Sequence, residues 1–162
     1  MTSEPEVPAE VPAAEPSREP ARRRTLRGRL RGPWRVIVAE GSMLPGIEPG
    51  DWLLVDPTGP AWPRPGSVVV FREPVSEGLA VKRVRARAGE RVPFNGGYIV
   101  LGEGEAWLEA DATAATAAKA GFGPPIDSER FGPVPIDLLV GRVWFRYGPW
   151  SRVGRIRRTT TP

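Results

Sequence analysis

Pro65-Gly66-Ser67-Val68-Val69-Val70-Phe71, followed closely by Leu79-Ala80-Val81-Lys82-Arg83-Val84-Arg85-Ala86-Arg87, decides the fold class. Each run is short, rich in valine and bounded by glycine or proline, which suits a strand and is too brief for a packed helix. Working outward, the same pattern recurs at Trp34 to Ala39, Asp51 to Val55, Gly97 to Leu101, Ala106 to Glu109 and Leu138 to Tyr147. The breaks between them are turn chemistry: Pro49-Gly50, Pro57 to Pro60, and Asn95-Gly96-Gly97, whose residues tolerate positive φ and so favour a hairpin. A mainly β domain over residues 33–151 is the expectation. Only Ala110 to Ala120, ending at Gly121, has helical character, and its threonines weaken that reading.

The chain has 162 residues, the size of one domain with tails. It contains no histidine and no cysteine. That excludes imidazole bases, thiol nucleophiles, Cys/His zinc sites and disulfides, and the chemistry must run on Ser, Thr, Lys, Asp, Glu, Tyr or Arg. No metal or other cofactor is expected. Lys82 and Lys119 are the only lysines among 23 basic residues, so each position that keeps one merits scrutiny.

Residues 1–21 are largely Pro, Glu, Ala, Val and Ser, a composition that reads as disordered. From Arg22 to Arg35 seven arginines follow with no acid, either a solvated linker or an arm for acidic lipid or nucleic acid. Residues 1–32 are thus read as an arm and 152–162 as a basic, frayed terminus. No run reaches the 18 or so apolar residues of a membrane span, and the first residues lack the pattern of a secretory signal. The cytoplasm is the default expectation, with peripheral membrane contact through the Arg22–Arg35 arm. Oligomeric state is not legible.

Two positions carry candidate chemistry. In Gly41-Ser42-Met43-Leu44-Pro45 a serine follows a glycine at the end of a strand, where its hydroxyl and its backbone amide can face one small volume. Gly-Ser is also ordinary turn chemistry. Lys82 lies within an apolar strand, where burial lowers an amine's pKa toward that of a general base, although a lone strand lysine more commonly faces solvent. Together the pair is a recognised substitute for Ser/His/Asp.

The ordered pieces resemble the bacterial type I signal peptidases and their soluble relatives: Gly41 to Pro45, Pro49-Gly50-Asp51-Trp52-Leu53-Leu54-Val55, Pro65 to Phe71, and Val81-Lys82-Arg83-Val84 with Ala88-Gly89-Glu90. Trp107 to Ala112, Ile126 to Pro135 and Val140-Gly141-Arg142 follow in the same order. The resemblance implies a signal-peptidase-like, β-rich peptidase fold in which Ser42 is the nucleophile and Lys82 the base. It implies that Met43 shapes the substrate wall, that Arg83 pairs with Asp111, and that Asp127 belongs to the supporting box. It also implies a polypeptide substrate with small residues before the cut. Lacking a visible anchor, the chain looks most like the soluble branch that includes maturation peptidases for nickel superoxide dismutase.

The departures from that pattern are specific. Gly46 replaces the usual threonine, Glu40 stands where some members place an oxyanion hydroxyl, and Pro125 replaces a serine that orients the lysine. Ala110-Asp111-Ala112 is a reduced Gly-Asp-Asn box. They imply slow turnover or a single substrate. The alternative is a degenerate module that binds peptides or an anionic membrane. A self-cleaving repressor shares such a dyad, but residues 1–33 are too poorly patterned for a helix-turn-helix, so no specific nucleic acid is expected. The Ala-x-Ala triplets at 115–120 mimic a cleavage site and read as low-complexity alanine.

Overall fold

The valine run does become the middle of a sheet. In the computed structural model, which describes residues 32–57 and 59–159, Val68 to Phe71 are each at most 1 % exposed, so this strand is buried on both faces. The strands are β1 (Trp34–Ile37), β2 (Trp52–Asp56), β3 (Val68–Arg72), β4 (Leu79–Arg87), β5 (Arg91–Phe94), β6 (Gly97–Val100), β7 (Glu105–Glu109), β8 (Val134–Pro135), β9 (Leu139–Gly148) and β10 (Gly154–Arg155). Two short helices, α1 (Ala114–Lys119) and α2 (Ser128–Phe131), lie between β7 and β8. The main sheet runs β1-β2-β9-β3-β4-β7-β8, antiparallel at every pairing, with β10 added to β9.

Period-two alternation along β3 divides the interior. Val68 and Val70 join Val38, Met43, Ile47, Leu53, Val55 and Val143 on one side. Val69 and Phe71 join Trp62, Val84, Ala106, Leu108, Val134 and Leu139 on the other. Gly141 lets β9 approach β2, because a Cβ there would lie 2.6 Å from the Asp56 carbonyl oxygen.

The β class and the seven expected runs are present with ends shifted by a residue or two. The Asn95-Gly96 turn does close a hairpin, with φ of 50° and 76°, but its first strand, β5, was not anticipated. Pro93 at its centre masks it. The helical stretch contracts to the six residues of α1, capped by Thr113, whose side chain accepts from the Thr116 amide.

One expectation is corrected. The segment after Arg152 is not frayed through its described length: Gly154 and Arg155 pair with Arg146 and Phe145, and Ile156 packs against the core beside β9. Arginine-rich composition hid a two-residue strand and the isoleucine after it, which packs against the core. The disordered-arm reading of 1–31, including most of the Arg22–Arg35 run, lies outside the described residues, as do Thr58 and residues 160–162.

Candidate active site

Ser42 stands in the loop joining β1 to β2. Its ends are tied: the Val38 amide donates to the Asp51 carbonyl at 3.0 Å and the Gly50 amide to the Val38 carbonyl at 2.8 Å. Within it the Leu44 amide donates to the Gly41 carbonyl at 3.2 Å and the Ile47 amide to Met43 at 2.9 Å. Met43 and Ile47, both 1 % exposed, plug the loop into the core. The resemblance implied that Met43 shapes the substrate wall; in the structure its side chain is enclosed in the core and fixes the turn from beneath. Gly41 is needed for close packing, because a Cβ there would lie 2.6 Å from the Phe122 ring.

Lys82 comes from β4, directly opposite Val69 of β3. Its Nζ donates to Ser42 Oγ at 2.8 Å, and the residue is 3 % exposed. Burial pushes the amine below its usual pKa of 10.5, and the more distant carboxylates of Asp127, Glu40 and Glu73 oppose that shift without cancelling it. The expected pair is thus brought together.

The supporting groups also meet. Arg83 Nε and Nη2 donate to the two Asp111 oxygens at 2.7 and 2.5 Å, a bidentate fork, and Nη1 donates to the Gly66 carbonyl at 2.7 Å. The residue after Asp111 donates its amide to the Ser42 carbonyl at 3.1 Å, so this bridge and the Ser42 turn are joined through one peptide. Asp127 caps α2, accepting from Glu129 N, and also accepts from Ala110 N, both at 3.0 Å. Ser128, fully buried, accepts from the Leu108 amide at 2.9 Å and so holds β7 rather than the lysine.

Sequence reasoning missed a second anchor. Asp51, 1 % exposed, accepts from Arg146 Nη1 at 2.8 Å and sits 3.3 Å from Arg152 Nη2. Arg146 also donates to the Gly46 carbonyl at 3.0 Å, while Arg152 pairs with Glu48. Asp51 was visible in Pro49-Gly50-Asp51, but its partners lie about a hundred residues away in stretches that read as sheet and tail. Among the described residues no cluster of three or more acidic side chains is placed to hold a metal.

Residues 30–119 match the family model described as signal peptidase, peptidase S26. The chain belongs to the signal peptidase family. It is 30 % identical over 132 residues to the mitochondrial ATP-independent inner membrane protease subunit 1b of Arabidopsis thaliana, covering 74 % of this chain and 73 % of that protein. It is 34 % identical over 96 residues to the mitochondrial inner membrane protease subunit 2 of Schizosaccharomyces pombe, covering 56 % of this chain and 48 % of that one. This signal peptidase-type chain is accordingly a peptidase whose substrates are polypeptides. The matched residues include Ser42, Lys82, Arg83 and Asp111, while Asp127 and the Arg146–Arg152 anchor lie beyond them. No helix among the described residues is long and apolar enough to cross a membrane.

Proposed function

We propose that this peptidase is a serine endopeptidase in which Ser42 is the nucleophile and Lys82 the general base, removing a leader or propeptide after small residues. The contact of 2.8 Å between Nζ and Oγ, at a lysine whose burial favours the neutral amine, carries the proposal. With the amine neutral the hydrogen bond reverses, and the serine O–H donates to Nζ. Oγ attacks the scissile carbonyl carbon as its proton passes to Nζ. The resulting ammonium then protonates the departing amine as the C–N bond breaks and the acyl-enzyme forms. Water next attacks the acyl carbon and gives its proton to Lys82, which returns it to Oγ as the ester bond breaks. The Ser42 backbone amide supplies one oxyanion donor, and Glu40 supplies none when ionised.

The sheet offers a place for the substrate. β7 pairs with β4 only from Arg83 onward, so toward Leu79 that edge of β4 carries no strand among the described residues. An extended peptide adding there would run past Lys82 with its carbonyl close to Ser42. A shallow site accepts Ala or Gly one and three residues before the cut and rejects bulk and charge.

The test is labelling by a serine-reactive phosphonate, with wild type, Ser42→Ala and Lys82→Arg compared and a peptide library profiled on wild type. Labelling confined to wild type, with small residues preferred before the cut, supports the proposal. A wild type that neither labels nor cleaves would make the fold a peptide-binding module, and a preference for large or charged residues would overturn the specificity.

A further inference from the structure

Behind the Ser42 turn lies a cleft of about 550 Å³ that no step of the peptidase reading uses. Arg83, Arg85, Arg146, Arg155 and Arg157 line it, against the acids Glu109 and Asp111. A second cleft, of about 320 Å³, shares the wall made by Arg155, Ile156 and Arg157 and adds Arg142 and Arg158. Together they hold seven arginines and two acidic residues.

These charges are not equally committed. Arg83 and Arg146 are held by Asp111 and Asp51, and Arg85 lies 3.7 Å from Glu109. Arg155, Arg157 and Arg158 are exposed, and the structure gives their guanidinium groups no carboxylate partner among the described residues. The backbone from Gly154 to Arg157 is nonetheless fixed: β10 pairs with β9, the Ile156 amide donates to the Trp144 carbonyl at 3.2 Å, and the Arg157 carbonyl accepts from Arg83 at 3.1 Å. An anion bound there meets cations already in place, which lowers the ordering cost. A peptide held at Ser42 is not that anion. Neither Ser42 nor Lys82 lines the large cleft, and Arg83 and Arg85 alternate along β4 with Lys82.

The chain carries a fitting segment of its own. Residues 1–21 hold Glu4, Glu6, Glu10, Glu15 and Glu19 against one arginine, Arg18. Prolines at 5, 8, 12, 16 and 20 favour an extended backbone that loses little entropy on binding. The segment reaches: Trp34 pairs with Val55, Val55 with Val143, and Ile156 bonds to the next residue of β9. At about 4.8 Å per strand spacing, Trp34 is roughly 15 Å from the arginine wall. Glu19 lies fifteen positions before Trp34, and a chain of that length has a root-mean-square span of roughly 20 Å.

We propose that the paired clefts around Arg155, Arg157 and Arg158 bind an acidic polypeptide segment, and that the occupant is this chain's own residues 1–21. The docking is independent of the identity of the nucleophile and the base.

The experiment uses the full chain with Glu4, Glu6, Glu10, Glu15 and Glu19 all changed to Gln, which vacates the site, beside the wild type. A fluorescent synthetic peptide of residues 1–21 is titrated into each at low salt, and binding is read by anisotropy. The peptide should bind the glutamine chain and bind wild type at least 10-fold more weakly, because a tethered competitor acts at about millimolar effective concentration. Binding should disappear when Arg155, Arg157 and Arg158 are also changed to Gln, three exposed positions at which the melting temperature should stay unchanged. Equal affinity for wild type and the glutamine chain would overturn the assignment and make an acidic segment from elsewhere the occupant. Binding that survives the arginine changes would place the acidic segment on the Arg22–Arg31 run instead, and no binding to either chain would end the proposal.

Discussion

Changing Lys82 to Met should make the protein more stable and much less active. The lysine is 3 % exposed, and the neutral Ser42 hydroxyl is the hydrogen-bond partner the structure gives its amine. Methionine has similar length and no charge to desolvate, while Ser42, half-buried, can turn its hydroxyl to water. Replacing buried charge with apolar volume commonly gains about 1–4 kcal/mol, and the lost hydrogen bond costs about 1 kcal/mol. A net gain of about 1–2 kcal/mol follows, which should raise the melting temperature by roughly 3–8 °C. The pH dependence carries the sign. Because the folded-state pKa lies below the unfolded value near 10.5, the unfolded chain holds the extra proton between the two, and wild-type stability rises with pH across that window. The advantage of the methionine variant should therefore be full below the folded pKa and vanish above 10.5. Urea unfolding of both chains at several pH values, with peptide hydrolysis on the same samples, checks each part. Loss of the base should lower hydrolysis by about 10²–10⁴-fold. A methionine variant less stable than wild type, or a stability gap that ignores pH, would refute the buried-amine argument.

Lys82→Arg should also abolish hydrolysis, because a guanidinium keeps its proton and cannot act as base; activity equal to wild type would place the base elsewhere. In wild type kcat/KM should climb with pH along a limb lying below 10.5, set by the lowered Lys82 pKa. Arg83→Gln breaks the fork that ties Asp111, whose following residue holds the Ser42 carbonyl, so the Ser42 turn should loosen and phosphonate labelling of Ser42 should slow. Arg146→Gln strips the nearly inaccessible Asp51 of its better-placed cation; with Arg152 still 3.3 Å away, urea unfolding should show a loss of about 2–4 kcal/mol. Gly41→Ala forces a Cβ against Phe122, and it should cost about 1–3 kcal/mol in melting experiments and slow phosphonate labelling of Ser42.

Local pattern was enough for the sheet and for naming Ser42 and Lys82 as candidates, while the family resemblance gave them their roles. Valine runs, glycine breaks and the Asn95-Gly96 turn act within a few residues, and period-two alternation already put Lys82 on the same face as the core residue Val84. Pairing across long separations was less accessible. Arg83 and Asp111 are 28 residues apart and were joined through the family resemblance alone. Asp51 and Arg146 are 95 apart, and nothing in either neighbourhood points to the other. The burial of Met43 was hidden for a related reason: the motif shows that methionine follows Ser42, whereas the side it faces depends on how the 38–51 loop closes on Asp51. The terminal strand escaped because Ile156 stands alone among arginines, and one apolar residue is not a pattern.

The two anchors share a logic that bears on the base. A neutral lysine needs low local charge, yet the turn and strand that bring Ser42 to Lys82 are held by ionised groups. The molecule keeps each carboxylate compensated at its own arginine: Asp111 lies in the bidentate fork of Arg83, and Asp51 between Arg146 and Arg152. Both pairs bind through to the Ser42 turn, one by the Ala112 amide on the Ser42 carbonyl and the other by Arg146 on the Gly46 carbonyl. Rigidity therefore comes from charges paired with each other rather than with the amine. The carboxylates left to act on Lys82, those of Asp127, Glu40 and Glu73, reach it only across space, and burial outweighs them. That balance also gives the missing serine at Pro125 a physical measure. With Ser42 the hydroxyl bonded to Nζ among the described residues, that contact and the walls of the site orient the amine, so the burial that lowers its pKa also supplies its positioning.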